Sequence, residues 1–160
     1  MARDRREEII TKVESLLATV SGIVAVHRDR FSVKDTDLPA AVILDGREEI
    51  RTELRGHSLV PMTPAMVTLY PQIWVLLKPR DTDTNLTLAG VSAPIGPEIS
   101  TYRTRVLKAI ITDSDLAASL GANGQIEYTG CDTDMQSGSS MAGQVQLHFA
   151  FTYFLNPAEL

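Results

Sequence analysis

The chain has 160 residues, 44% hydrophobic and 22% charged, with 15 Lys+Arg against 20 Asp+Glu for a formal charge of -5. That is the length and apolar content of one ordinary domain with a core of its own, and it argues against disorder and against tightly held duplex DNA. The lone cysteine, Cys131, excludes an intramolecular disulfide, so folding does not depend on an oxidising compartment.

In chain order, residues 3–20 are expected to form an amphipathic helix. Ile9, Ile10, Val13, Leu16, Leu17 and Val20 fall on one stripe, and Ser21-Gly22 supplies the stop. Strands are expected at 23–28 and 38–44; the second is apolar at successive positions, the pattern of a strand covered on both faces. Asp45-Gly46 reads as a turn after it, with a short strand around 50–54 and then a loop. Residues 66–78 read as a long strand in which Pro71, lacking an N–H, requires a bulge or an edge and a bend.

Residues 80–97, rich in Asp, Thr, Gly and Pro, are expected to be a long loop. A second helix is expected over 97–112, burying Ile99, Tyr102, Val106, Leu107 and Ile110, with Asp113-Ser114-Asp115 capping a further short turn that carries Leu116 and Leu120. The chain then reads as a hairpin: a short strand at 125–130, a Gly/Ser-rich connector at 132–143, and a strictly alternating strand from Gln144. In that strand Val145, Leu147, Phe149, Phe151 and Tyr153 share one face, and Gln144, Gln146, His148 and Thr152 the other. The apolar set is expected to meet the helices. The fold class is therefore α+β: a mixed, mainly antiparallel sheet with two main helices on one face, as a single domain over 1–160.

The chemistry-bearing residues are scattered. There is no phosphate loop, zinc spacing or nucleophile elbow, and His27, His57 and His148 are isolated from one another. Asp81 with Asp83, and Asp132 with Asp134, make Asp-Thr-Asp pairs, but neither carries the glycine and glutamate of a calcium loop, so they read as solvated turn residues. Cys131 has no basic neighbour in sequence, and Ser137, Ser139 and Ser140 lie in the connector, a poor place for preorganised catalysis. Arg47, Arg51 and Arg55 recur every fourth residue among Glu48, Glu49 and Glu53, the mark of a solvated surface. The expectation is a protein that is not an enzyme, with no catalytic residue, cofactor or metal. The charged N-terminus lacks an apolar signal region, and the runs at 38–44 and 73–77 are too short to cross a bilayer, so no membrane partner is expected and the protein is read as made in a cytoplasm. Asn85-Leu86-Thr87 fits the glycosylation pattern, a chance match without a secretion signal.

The order of elements resembles one family. An amphipathic helix, a valine-bearing strand, the 38–44 strand containing Pro39 and a long central strand are followed by a helix ending Ile110-Ile111-Thr112-Asp113-Ser114-Asp115-Leu116. Then come Gln-Ile-Glu-Tyr-Thr-Gly-Cys-Asp, a Gly-rich connector and a strand finishing Phe151-Thr152-Tyr153. Nearly the whole chain thus resembles the tail-terminator (tail-completion) proteins of long-tailed phages. The resemblance implies a virion protein that forms a hexameric ring on the head-proximal end of the tail tube. Such a ring stops tube polymerisation and joins the head-tail connector, while DNA passes through it without sequence-specific binding. Its partners would be further copies of itself, the tail tube protein and the connector protein. A ring uses heterologous contacts, so each subunit needs two different complementary patches, and the loops at 80–97 and 132–143 are candidates for ordering on assembly. Other connector-ring proteins share these features. From a different class, a small ligand-binding or enzymatic domain would place its pocket near His57 or His148.

Overall fold

The computed structural model describes residues 4–30, 32–50, 65–78, 80, 81, 96–135, 140, 141 and 143–155. Helix α1, Arg5–Ala18, starts where Asp4 accepts hydrogen bonds from the amides of Arg6 (3.0 Å) and Glu7 (3.4 Å), with Glu7 and Glu8 complementing the helix dipole. It buries Ile9, Ile10, Val13 and Leu17. The turn after it passes through Gly22, at φ +94°, whose carbonyl accepts from the Tyr102 hydroxyl at 3.2 Å; a Cβ there would lie 2.6 Å from that hydroxyl. Helix α2, Gly96–Ile111, buries Ile99, Tyr102, Val106 and Ile110. The expected short turn is a true helix, α3, Ser114–Leu120, which Asp113 caps by accepting from the Leu116 amide at 2.7 Å.

The strands are β1 (Ala25–Arg28), β2 (Ala40–Ile50), β3 (Ala65–Leu76), β4 (Arg80–Asp81), β5 (Gln125–Met135), β6 (Ser140–Met141) and β7 (Gly143–Leu155). Among the described residues, five form one sheet in the order β1-β2-β3-β7-β5, with β1 parallel to β2 and every other neighbour antiparallel; β4 pairs with β6. The fold is α+β with a mixed, mainly antiparallel sheet, as the patterning implies. Val145, Leu147, Phe149, Phe151 and Tyr153 are all buried against the helices, in one cluster with Val67, Leu69, Ile73 and Val75 of β3. Burying each such side chain stabilises the fold by about 1.5–3 kcal/mol. Phe149 also stacks on Phe151 at 5.9 Å and tilts toward Tyr128 at 5.7 Å between ring centroids. Ala40, Ala41, Val42 and Ile43 are all buried, which is what their unbroken apolar run requires.

Three expectations are corrected. Asp45-Gly46 is not a turn: β2 runs through it to Ile50 as a bulge, with Asp45 and Gly46 together opposite Pro71 of the facing strand. Pro71 accordingly sits mid-sheet, between β2 and β7, and β3 continues across it. Strand β5 does not end at Gly130. It continues through Asp132 and Asp134 to Met135, paired with β7 down to Gly143, so the connector is shorter than expected at both ends. Part of the 80–97 loop, Arg80–Asp81, is strand β4. The strand expected around 50–54 lies largely outside the described residues, as do His57, Arg51, Arg55, Asp83, Asn85, Ser137 and Ser139.

Candidate functional site

The helices cover one face of the sheet, and the other face carries most of the polar side chains that the strands project. Across it runs a crease made by three irregularities on one line. In β2, Asp45 and Gly46 stand where one residue should, between the pairs Leu44–Gln72 and Arg47–Tyr70. In β3, Pro71 interrupts pairing with β7 between Gln72–His148 and Leu69–Phe151. In β5, Thr129 is the extra residue between Tyr128–Phe149 and Gly130–His148, with Gly130 at φ +148°. Gly46 takes φ +68°, and a Cβ on it would lie 1.9 Å from the Tyr70 carbonyl oxygen, so only glycine fits the approach. Bulges of this kind bend strands and re-aim side chains.

What they aim is a pocket of about 320 Å³. Pro71 and Phe149 contribute to its lining, together with Arg47, Tyr70, Gln72, Thr129 and His148. The Arg47 guanidinium lies 5.2 Å above the Tyr70 ring centroid and pairs with Glu49 at 3.2 Å. His148 Nε2 lies 2.9 Å from Asp132 Oδ2, which fixes the ring's orientation. Further along the same face Gln144 donates to Asp134 at 3.1 Å, Thr68 and Thr152 share a buried hydrogen bond of 3.1 Å, and the buried indole N–H of Trp74 has no hydrogen-bond partner among the described residues.

The β2 bulge joins this crease to a charged latch on the helix side. Asp45, within the bulge, receives Nε and Nη2 of Arg28 at 2.7 and 2.6 Å, and Glu7 of α1 receives Nη1 and Nη2 at 2.6 and 2.8 Å. Arg6 approaches Asp45 at 3.5 Å and Glu48 at 4.0 Å, and the Tyr153 hydroxyl donates to Glu48. The hydrogen bonds from Arg28 hold the carboxyls of Asp45 and Glu7 below their ordinary range, and those same bonds raise Arg28. Burial, then the Glu48 contact, raises Tyr153.

The structure therefore brings together two residues that sequence left apart, His148 and Asp132, and shows that Asp132 and Asp134 are strand residues, not turn residues. His27 stands 3.8 Å from Asp37. Cys131, without a basic neighbour in sequence, acquires one in space: it interacts with the Arg103 side chain, whose Nε donates to Tyr128 at 3.1 Å. Arg47 belongs to strand β2, and Arg51 and Arg55 lie outside the described residues. Sequence reasoning missed Gln72, Thr129 and Tyr70 altogether; the available signals were Pro71 and the Tyr-Thr-Gly run, both of which mark irregular strands. Among the described residues no group of three or more His, Cys, Asp or Glu could hold a metal ion, and no helix is long and apolar enough to cross a membrane.

No protein-family model and no curated protein matches the chain. Among solved structures, a chain of the virion of a native gene transfer agent particle is 11% identical, with 92% of this chain and 92% of that chain covered at a TM-score of 0.41. A crystal structure from Akkermansia muciniphila is also 11% identical, with 96% of this chain and 77% of that chain covered at a TM-score of 0.29. Likenesses at these scores assign no function.

Proposed function

We propose that the chain is a structural virion protein, a tail terminator that forms a ring on the head-proximal end of a tail tube, stops its growth and joins the head connector. On this reading it is not an enzyme, and it works without cofactor or metal. The observation that carries the proposal is the run from α2 through α3, β5 and β7, the stretch in which the sequence most resembles that family, together with a body whose two faces differ. Helices cover one side of the sheet, while the other presents a polar crease, and among the described residues the outermost strands β1 and β5 leave two unlike edges. Unlike edges are what a closed head-to-tail ring requires.

The test is electron microscopy of the purified protein, alone and with open-ended tail tubes. Rings that cap tubes and halt their elongation are the expected result. Rings that form yet leave tubes growing would move the assignment to another connector ring of the head-tail junction. Absence of rings under both conditions would overturn the reading in favour of a small ligand-binding or enzymatic domain.

A further inference from the structure

A strand at the rim of a sheet leaves a row of N–H and C=O groups unpaired, and native chains usually guard such edges with Lys, Pro or a bulge. Among the described residues the five-stranded sheet ends on β1 and β5, and neither strand contains Lys or Pro. The bulge at Thr129 interrupts β5 but leaves the stretch Cys131–Asp134 beyond it, as long as the four-residue β1. Strand directions agree as well. β1 and β7 run one way and β5 the other, so a second copy set alongside brings β5 against β1 antiparallel, like most neighbours within the sheet. So does the pleat. Val26, Ala41, Val75, Val145 and Thr133 form one row on the helix side. A copy placed without sliding therefore sets Thr133 beside Val26 and continues that surface.

Beside β1 lies a groove of about 360 Å³ walled by Ala18, Ile23, Val24 and Val26, with Glu14 at its flank. Val24 is 64% exposed, a large apolar side chain left in water at that groove. The charges along the two edges are opposite in sign. Glu14 flanks the β1 edge on the helix side, where Arg103 of α2, bonded to Tyr128, flanks the β5 edge. Beyond the end of β1 comes Arg30, and the same direction along β5 leads past the bulge to Glu127. Glu14, Arg30 and Glu127 form no ion pair with any described residue.

We propose that β1 of one copy pairs antiparallel with Cys131–Asp134 of β5 in the next copy, so that the sheet runs on from subunit to subunit. The proposal rests on the ring reading and names the two unlike patches through which copies of this chain join. Each junction gains ladder hydrogen bonds, cover for the groove and opposite charges on both flanks.

The test is disulfide cross-linking in a Cys131→Ser background, read on denaturing gels beside electron micrographs of the same samples. With Val26→Cys and Thr133→Cys in one chain, mild oxidation is expected to give a ladder of covalent multimers ending at the ring size. A mixture of the two single variants is expected to give dimers and nothing larger, and each single variant alone to stay monomeric. Rings without the ladder would overturn the pairing and leave the ring reading standing. A ladder of open-ended chains without rings would uphold the pairing and overturn the ring, and the absence of both would overturn both. Dimers from Val26→Cys alone would replace the pairing with a two-fold contact. A second arm leaves the strand backbones untouched: Glu127→Arg should weaken assembly about tenfold, and Arg30→Glu in the same chain should restore it. Assembly that ignores Glu127→Arg, or that Arg30→Glu fails to restore, would overturn the placement of these two edges against each other.

Discussion

Replacing Gly46 by alanine tests the crease at its tightest point, and Gly130→Ala is the matched control. Both glycines sit in bulges at positive φ, +68° and +148°, so both variants pay a conformational strain of about 1–3 kcal/mol. They differ in space. A Cβ at Gly130 meets nothing within 4 Å, whereas one at Gly46 meets the Tyr70 carbonyl oxygen at 1.9 Å and its carbon at 2.8 Å. Those are backbone atoms of a central strand, and they cannot rotate away as a side-chain tip would. Relief requires β2 to lift from β3 around the bulge, with loss of one or two ladder hydrogen bonds at about 1 kcal/mol each. Gly46→Ala should therefore be destabilised by roughly 2 kcal/mol beyond Gly130→Ala. At a urea m value of about 2 kcal/mol per molar, that is a midpoint roughly 1 M lower. Urea unfolding of the three proteins, followed by circular dichroism with m values compared, measures the gap. Equal midpoints for the two variants would refute the argument that β2 and β3 are in backbone contact at this point.

Phe149→Ala and Phe151→Ala, in side chains buried on the helix side, should each cost about 3–5 kcal/mol by urea unfolding, whereas Gln146→Ala, half-buried on the opposite face, should cost about 1 kcal/mol or less. The latch predicts acid sensitivity. Glu7 and Asp45 have ordinary values of 4.5 and 3.8, and Arg28 lowers both in the folded state. Their contribution is therefore fully present above those values and is lost as pH falls through the lowered ones. Arg28→Gln should flatten the acid limb of a stability-against-pH curve while leaving its shape near neutrality unchanged; an identical acid limb in both proteins would remove the latch from the explanation.

How much was legible in the sequence depended on whether a signal was local. The β7 register was readable because its period-two pattern runs for ten residues, with Gln144, Gln146, His148 and Thr152 on the alternate positions, and the structure places Val145 to Tyr153 on the side expected. The Asp45-Gly46 reading failed because a turn and a bulge ask the same thing of a glycine, a positive φ. What distinguishes them is that β2 goes on pairing with β3 beyond it, from Arg47 to Ile50, and that pairing is invisible until the register is known. Asp132 and Asp134 looked like loop residues because a strand that, among the described residues, is paired on one side only tolerates polar residues; their partners Gln146 and Gln144 belong to another strand. The crease combines three strand irregularities with residues from four strands, so no window of sequence contains it.

The strand order has a consequence for how the chain reaches this state. Strand β7 lies between β3 and β5, yet it follows every other described strand in the sequence. During synthesis, β3 is made long before the neighbour that completes it, so its inner edge stays open while α2, α3 and β5 emerge. The apolar stripe of α1, the first described element, waits longer still for Phe149 and Phe151 to complete the core beneath the helices. The sheet therefore closes from the middle and late, through contacts between distant parts of the chain, a topology that slows folding. A ribosome stalled before residue 143 would hold a three-stranded fragment with an exposed apolar edge, the species most prone to pair with a second nascent chain.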